Sequence, residues 1–152
     1  MFGIRYILIA ILAATLAACS GADENGSTQP QPVASSVPLS SDTRLAAVLV
    51  YAKWCGSCKI LDPKLQSAKA EGPIDGLQYF VLDYTDRDEE AFFASADTLG
   101  IGAPIRAELG DSVTTGILLL IDIDDGKIVG DLRKKLSPTE IRSAMVEAAA
   151  SA

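Results

Sequence analysis

From residue 43 to the last residue, 152, the chain alternates between unbroken apolar runs and stretches with a three-to-four-residue apolar period. The run LAAVLVYA, Leu45 to Ala52, is bounded by the polar SSDTR and by a cysteine motif. Its length and continuity predict a strand buried on both faces. From Cys55 to about Ala70, Ile60, Leu61, Leu65 and Ala68 recur at helical spacings. Pro63 falls inside that predicted helix, where it removes a backbone donor and predicts a kink. LQYFVLD, Leu77 to Asp83, predicts a second strand. DRDEEAFFASADTLG carries acids in its first turn and Gly100 after its end, a helix signature. GILLLIDIDDGKIVGDL holds two apolar runs around Asp125-Gly126 and predicts a hairpin. Ser137-Pro138-Thr139-Glu140 opens a last helix: Ser as N-cap, Pro at the first position, Glu three residues after the cap. Residues 100–113, GIGAPIRAELGDSV, show no clear period, and no element is predicted there.

The predicted order is therefore β-α-β-α-β-β-α. A βαβ unit makes parallel strands with a right-handed crossover, and the hairpin adds antiparallel ones. The expected product is an α/β domain with a mixed four-stranded sheet and helices on its faces.

Ahead of this domain the pattern changes. Residues 1–18 place one charge, Arg5, before an apolar run from Tyr6 and a small-residue ending, the pattern of a secretory signal. Tyr6 to Ala18 is too short to cross a hydrocarbon core of roughly 30 Å. Leu16-Ala17-Ala18-Cys19 resembles the bacterial lipobox. That resemblance implies export, cleavage before Cys19 and a lipid (palmitate) anchor on Cys19. Ser20 follows where an aspartate would imply inner-membrane retention, so the resemblance implies the periplasmic face of the cell envelope, at the outer membrane. Residues 20–42 are rich in Ser, Pro, Gly and Gln, a composition that cannot bury enough apolar surface to order itself. Residues 19–42 are read as lipidated cysteine and flexible linker, and 43–152 as one domain.

Charge narrows the function classes. With 20 Asp and Glu against 13 Lys and Arg, the net charge is −7. Nucleic-acid binding needs clustered positive charge, and the chain has none. Asp122, Asp124 and Asp125 superficially suggest a calcium loop. Lys127 and Arg133, however, stand where glycine and glutamate are needed, so they are read as turn residues.

Three cysteines and no histidine remain. Cys55 and Cys58 are a redox couple, a metal site or a structural pair. Tetrahedral zinc wants four ligands, and haem attachment wants a histidine after the second cysteine, where Lys59 stands. A redox couple fits best. Cys55 is expected at the N-terminus of the first helix, where free N–H groups favour a thiolate. Cys58, one turn further in and more buried, is expected to be the resolving thiol. Gly56 admits a close backbone approach, Ser57 is a short polar spacer, and Lys59 and Lys53 add positive charge. Two thiolates also suit Cu(I), so a soft-metal (copper) binding or chaperone module stays as the alternative. A purely structural disulfide is disfavoured, because so small a loop stabilises little.

YAKWCGSCKILDPKL resembles the active-site segment of the thioredoxin family through Trp54, Cys55, Gly56, Cys58, Lys59 and Pro63. The resemblance implies a thioredoxin-like fold over residues 44–150 and a protein thiol–disulfide oxidoreductase without cofactor or metal. It implies partners among exported proteins bearing disulfides or thiols, with a membrane reductant donor. Three departures stand out. Ser57 replaces the proline common between the cysteines. Leu49 stands where a buried carboxylate is usual, and Thr115-Gly116 stands where the family has a residue and a cis-proline facing the cysteines. The groove is therefore expected to take a narrower set of partners, and Gly116→Pro to raise general disulfide reductase activity.

Overall fold

The computed structural model describes residues 37–152. The signal segment, Cys19 and the linker up to residue 36 lie outside the described residues. The described chain runs β1 (Leu45–Tyr51), α1 (Cys58–Ala70), β2 (Leu77–Asp83), α2 (Glu89–Thr98), α3 (Gly102–Leu109), β3 (Ile117–Asp122), β4 (Lys127–Arg133) and α4 (Pro138–Ser151). The sheet order is β2-β1-β3-β4. β1 pairs parallel with β2 and antiparallel with β3, and β3 pairs antiparallel with β4.

β1 is central, and its apolar run is explained by burial on both faces. Ala46, Val48 and Val50 enter one core with Phe80, Leu82, Phe92, Ile101 and Ile105. Leu45, Ala47 and Leu49 enter the other, with Leu61 and Leu65 of α1 and Ile141 and Met145 of α4. The six residues Leu45 to Val50, without a polar side chain and all buried, suit the middle of such a sheet.

Two expectations are corrected. Residues 100–113, given no element above, contain helix α3. Gly102 and Ile105 are its buried positions, Ile101 is buried at its N-cap, and Gly102 and Pro104 hid the period. Pro104 falls in the first turn of α3, where its missing N–H costs nothing because that donor has no helical partner. Arg106 holds α3 to α2 by a two-pronged ion pair with Asp97. The first helix, expected from Cys55, begins at Cys58, and Cys55 lies in the turn before it.

The cap signals read in the sequence are present. Ser137 accepts from the Glu140 N–H while the Glu140 carboxylate accepts from the Ser137 N–H. At the hairpin, the Asp122 carboxylate accepts from the N–H groups of Asp124 and Asp125. The chain enters β1 through a docked segment: Leu39 N–H donates to the Leu99 carbonyl, and the Gln78 side-chain oxygen accepts from Ser40 N–H and the Thr43 hydroxyl.

α4 fastens α1 at its far end. Arg142 Nη1 donates to the carbonyls of Ala68 and Gly72, at 3.0 and 2.9 Å, and Nε lies 3.3 Å from Glu71 Oε2. The guanidinium thereby satisfies an end-of-helix carbonyl that has no helical donor. Arg142→Ala is expected to lower unfolding free energy by about 1–3 kcal/mol, the range for leaving part-buried acceptors unpaired. Glu71→Gln should cost less than about 1 kcal/mol, as an exposed ion pair does. Urea unfolding of both variants checks this; equal losses would show that the ion pair, not the carbonyls, is what Arg142 serves.

Candidate functional site

The site is built where the carboxyl ends of β1 and β2 meet the start of β3 and the turn into α1. β1 ends at Tyr51, Ala52 is buried, and the chain turns through Lys53 and Trp54 to Cys55. Cys55 N–H donates to the Ala52 carbonyl, closing that turn. Ser57 is the residue before α1, and its carbonyl accepts from the N–H groups of Ile60 and Leu61. The sulfurs of Cys55 and Cys58 are joined in a disulfide, with Cα atoms 5.3 Å apart. Cys58 is fully buried and Cys55 is 6% exposed.

Local geometry distinguishes the two sulfurs. The Cys58 backbone N–H points at Cys55 Sγ, 3.1 Å away. A free helical donor aimed at one sulfur favours its thiolate when the pair is reduced. Cys58 Sγ faces inward instead, 3.8 Å from the Val50 carbonyl oxygen. That oxygen also accepts the Gly116 N–H at 2.8 Å.

Thr115 and Gly116 immediately precede β3, and Gly116 lies directly against the pair. It has φ +79°, and a Cβ on it would stand 2.5 Å from the Ser57 Cβ and 3.1 Å from Cys55 Sγ. Only glycine meets both the conformation and the approach. This corrects the expectation for a proline here: proline needs φ near −65° and would lose the N–H bonded to Val50. Pro104 takes no part, being in α3. Gly56 is exposed, and a side chain there would meet nothing within 4 Å. Lys53 and Lys59 are exposed beside the pair, and Pro63 sits in α1 one turn beyond Lys59.

Trp54 is half-exposed and tied down. Its indole N–H donates to the Thr85 carbonyl at 2.9 Å, and the Arg87 guanidinium lies 4.6 Å over its ring. Lys53 N–H donates to Thr85 Oγ1, and the Asp83 carboxylate accepts from both the Thr85 N–H and hydroxyl. The β2–α2 turn thus braces the segment before Cys55. Sequence reasoning missed Thr85 and Arg87; Arg87 has φ +59°, the one non-glycine in that region among the described residues, and nothing in its neighbours signals this. Asp62 was also missed. It is 7% exposed, the one buried charged residue among those described. Its signal was present, since position 62 continues the buried spacing of Cys58, Leu61, Leu65 and Ala68.

The thioredoxin family model matches residues 36–95, which hold β1, α1, β2 and most of α2. Among solved structures, the chain is similar to the thioredoxin of Malassezia sympodialis at 16% identity and TM-score 0.46, over 70% of this chain and 79% of that one. No curated protein matches the chain.

Gly116→Ala is expected to force a left-handed alanine, costing about 1–2 kcal/mol before any overlap with Ser57 and Cys55 is counted. Thermal unfolding should show the loss, and the reduced pair should react more slowly with a disulfide reagent. A variant as stable and as reactive as the parent would show that the chain relaxes here without consequence.

Proposed function

We propose that this chain, thioredoxin-like in family and fold, is a lipid-anchored thiol–disulfide oxidoreductase of the bacterial cell envelope, acting on exported proteins through Cys55 and Cys58. One observation carries the chemistry: a Cys-Gly-Ser-Cys disulfide at the β1–α1 junction, in which the inner cysteine's N–H is aimed at the outer sulfur. In the reduced pair the Cys55 thiolate attacks a partner disulfide, forming a mixed disulfide and releasing one partner sulfur as a thiolate. Cys58 then attacks Cys55 Sγ, releasing the second partner sulfur and closing the Cys55–Cys58 bond. Two electrons pass to the partner, and a dithiol donor on the membrane returns them. Run backwards, the same steps oxidise a partner dithiol.

The placement rests on the sequence. Leu16-Ala17-Ala18-Cys19 is the motif that supports lipidation, and Ser20 supports the outer membrane over the inner. Cys19→Ser is expected to abolish incorporation of radiolabelled palmitate and to free the protein from membranes. Label entering the Cys19→Ser chain would sink the anchor.

For the chemistry, Cys55→Ser should abolish exchange with protein disulfides, a loss of more than about 10³-fold for removal of the nucleophile. Cys58→Ser should accumulate partners as mixed disulfides on Cys55, visible on non-reducing gels. Faster alkylation of Cys58 than of Cys55 at mildly acidic pH would reverse the assignment.

A further inference from the structure

The second half of this reaction needs a base. Before Cys58 can attack, its thiol must lose a proton, and it is fully buried when it does so. On its β1 side it faces the Val50 carbonyl, which holds a proton by hydrogen bonding but cannot remove one. The chain has no histidine, and Lys53 and Lys59 are exposed cations. Among the described residues, one charged group is buried and capable of accepting a proton: Asp62.

Four residues separate Asp62 from Cys58 on α1, the spacing that puts two side chains on one helix face with Cβ atoms roughly 5–6 Å apart. Tyr51 joins them from the sheet side. It packs against the Cys55–Cys58 cluster, and its phenol is held above the ordinary tyrosine range by burial, then by the charge of Asp62, then by that of Asp83. Asp62 and the disulfide therefore share one helix face and one neighbour, Tyr51. Asp62 Oδ1 accepts from the Gln66 side-chain amide at 3.1 Å, and none of the ion pairs among the described residues uses the carboxylate. Lys64, on the same helix, is turned to the Lys134 and Leu136 carbonyls instead. A buried carboxylate without a cationic partner is unfavourable for stability.

We propose that Asp62 is the proton acceptor for Cys58, and this rests on the oxidoreductase reading above. Once the mixed disulfide has formed on Cys55, the Cys58 S–H proton passes to a carboxylate oxygen of Asp62. The Cys58 thiolate bonds to Cys55 Sγ, the bond from Cys55 to the partner sulfur breaks, and the partner leaves as a thiolate. That thiolate takes up a proton, and Asp62 returns to the carboxylate by releasing its own. When the pair is reduced again, Asp62 hands a proton back to the Cys58 sulfur.

The test uses the reduced full chain mixed rapidly with excess 5,5′-dithiobis(2-nitrobenzoate), which releases one coloured thiolate on attack by Cys55 and a second on closure by Cys58. Asp62→Asn is expected to slow the second release by about 10²-fold or more, within the range for loss of a general base, and to leave the first within about threefold. The second release in Asp62→Asn should then rise tenfold per pH unit, following hydroxide, where the parent is flatter. Asp62→Glu should restore most of the rate. An Asp62→Asn chain whose second release is unchanged, or slowed by the same factor as the first, overturns the proposal. Should Asp62→Asn not fold, carbon-13 carboxyl spectra of the reduced parent and of Cys58→Ser decide the matter. The Asp62 carboxyl resonance should differ between the two, and identical resonances overturn the coupling. A parent that shows neither release refutes the oxidoreductase reading itself; with a parent that shows both, a failed Asp62→Asn result refutes the role of Asp62 alone.

Discussion

The Val50 carbonyl oxygen is where the sheet and the redox pair meet. It accepts the Gly116 N–H, which fixes the start of β3 beside the end of β1, and it faces the inner sulfur. Both contacts depend on β1 ending where it does. β1 in turn is held by parallel pairing on one edge and antiparallel pairing on the other, with a core on each face. A one-residue slip would exchange its two faces and carry the carbonyl away from Gly116. The geometry of the thiol–disulfide oxidoreductase site is therefore set by the burial of an apolar strand, not by contacts among the active-site residues alone.

Most of the fold was legible because its signals are local. The apolar run of β1, the Asp125-Gly126 hairpin and the Ser137–Glu140 cap each act within a few residues, and each forms as read. α3 was not legible, since Gly102 and Pro104 read as helix breakers although both stand in its first turn, and its buried face is set by packing against α2. Gly102 lies against the Asp97–Arg106 ion pair, a reason for glycine that exists only once two helices are together. Tertiary context overrode propensity.

At the site, Cys55 and Cys58 announced themselves by spacing, and the slot at Gly116 could be placed by register against β3. What could not be read was conformation. The left-handed backbone of Gly116 decides that no proline can stand there, and the left-handed backbone of Arg87 lays a guanidinium on Trp54. Neither follows from residue type. Asp62 was missed for a different reason: an acid beside a proline looks like a surface residue until its helical phase is compared with that of Cys58.

The entry of the chain into the domain has a mechanical meaning. Leu39 to Thr43 dock at the beginning of β1, while Cys55 follows its end, so the strand lies between the upstream chain and the reactive sulfur. While a partner is bonded to Cys55, any tension between that partner and the upstream chain runs lengthwise through β1. β1 is then loaded in shear against β2 and β3, and its ladder bonds resist together instead of parting one at a time. The covalent intermediate hangs from the element of the domain best placed to bear a pull.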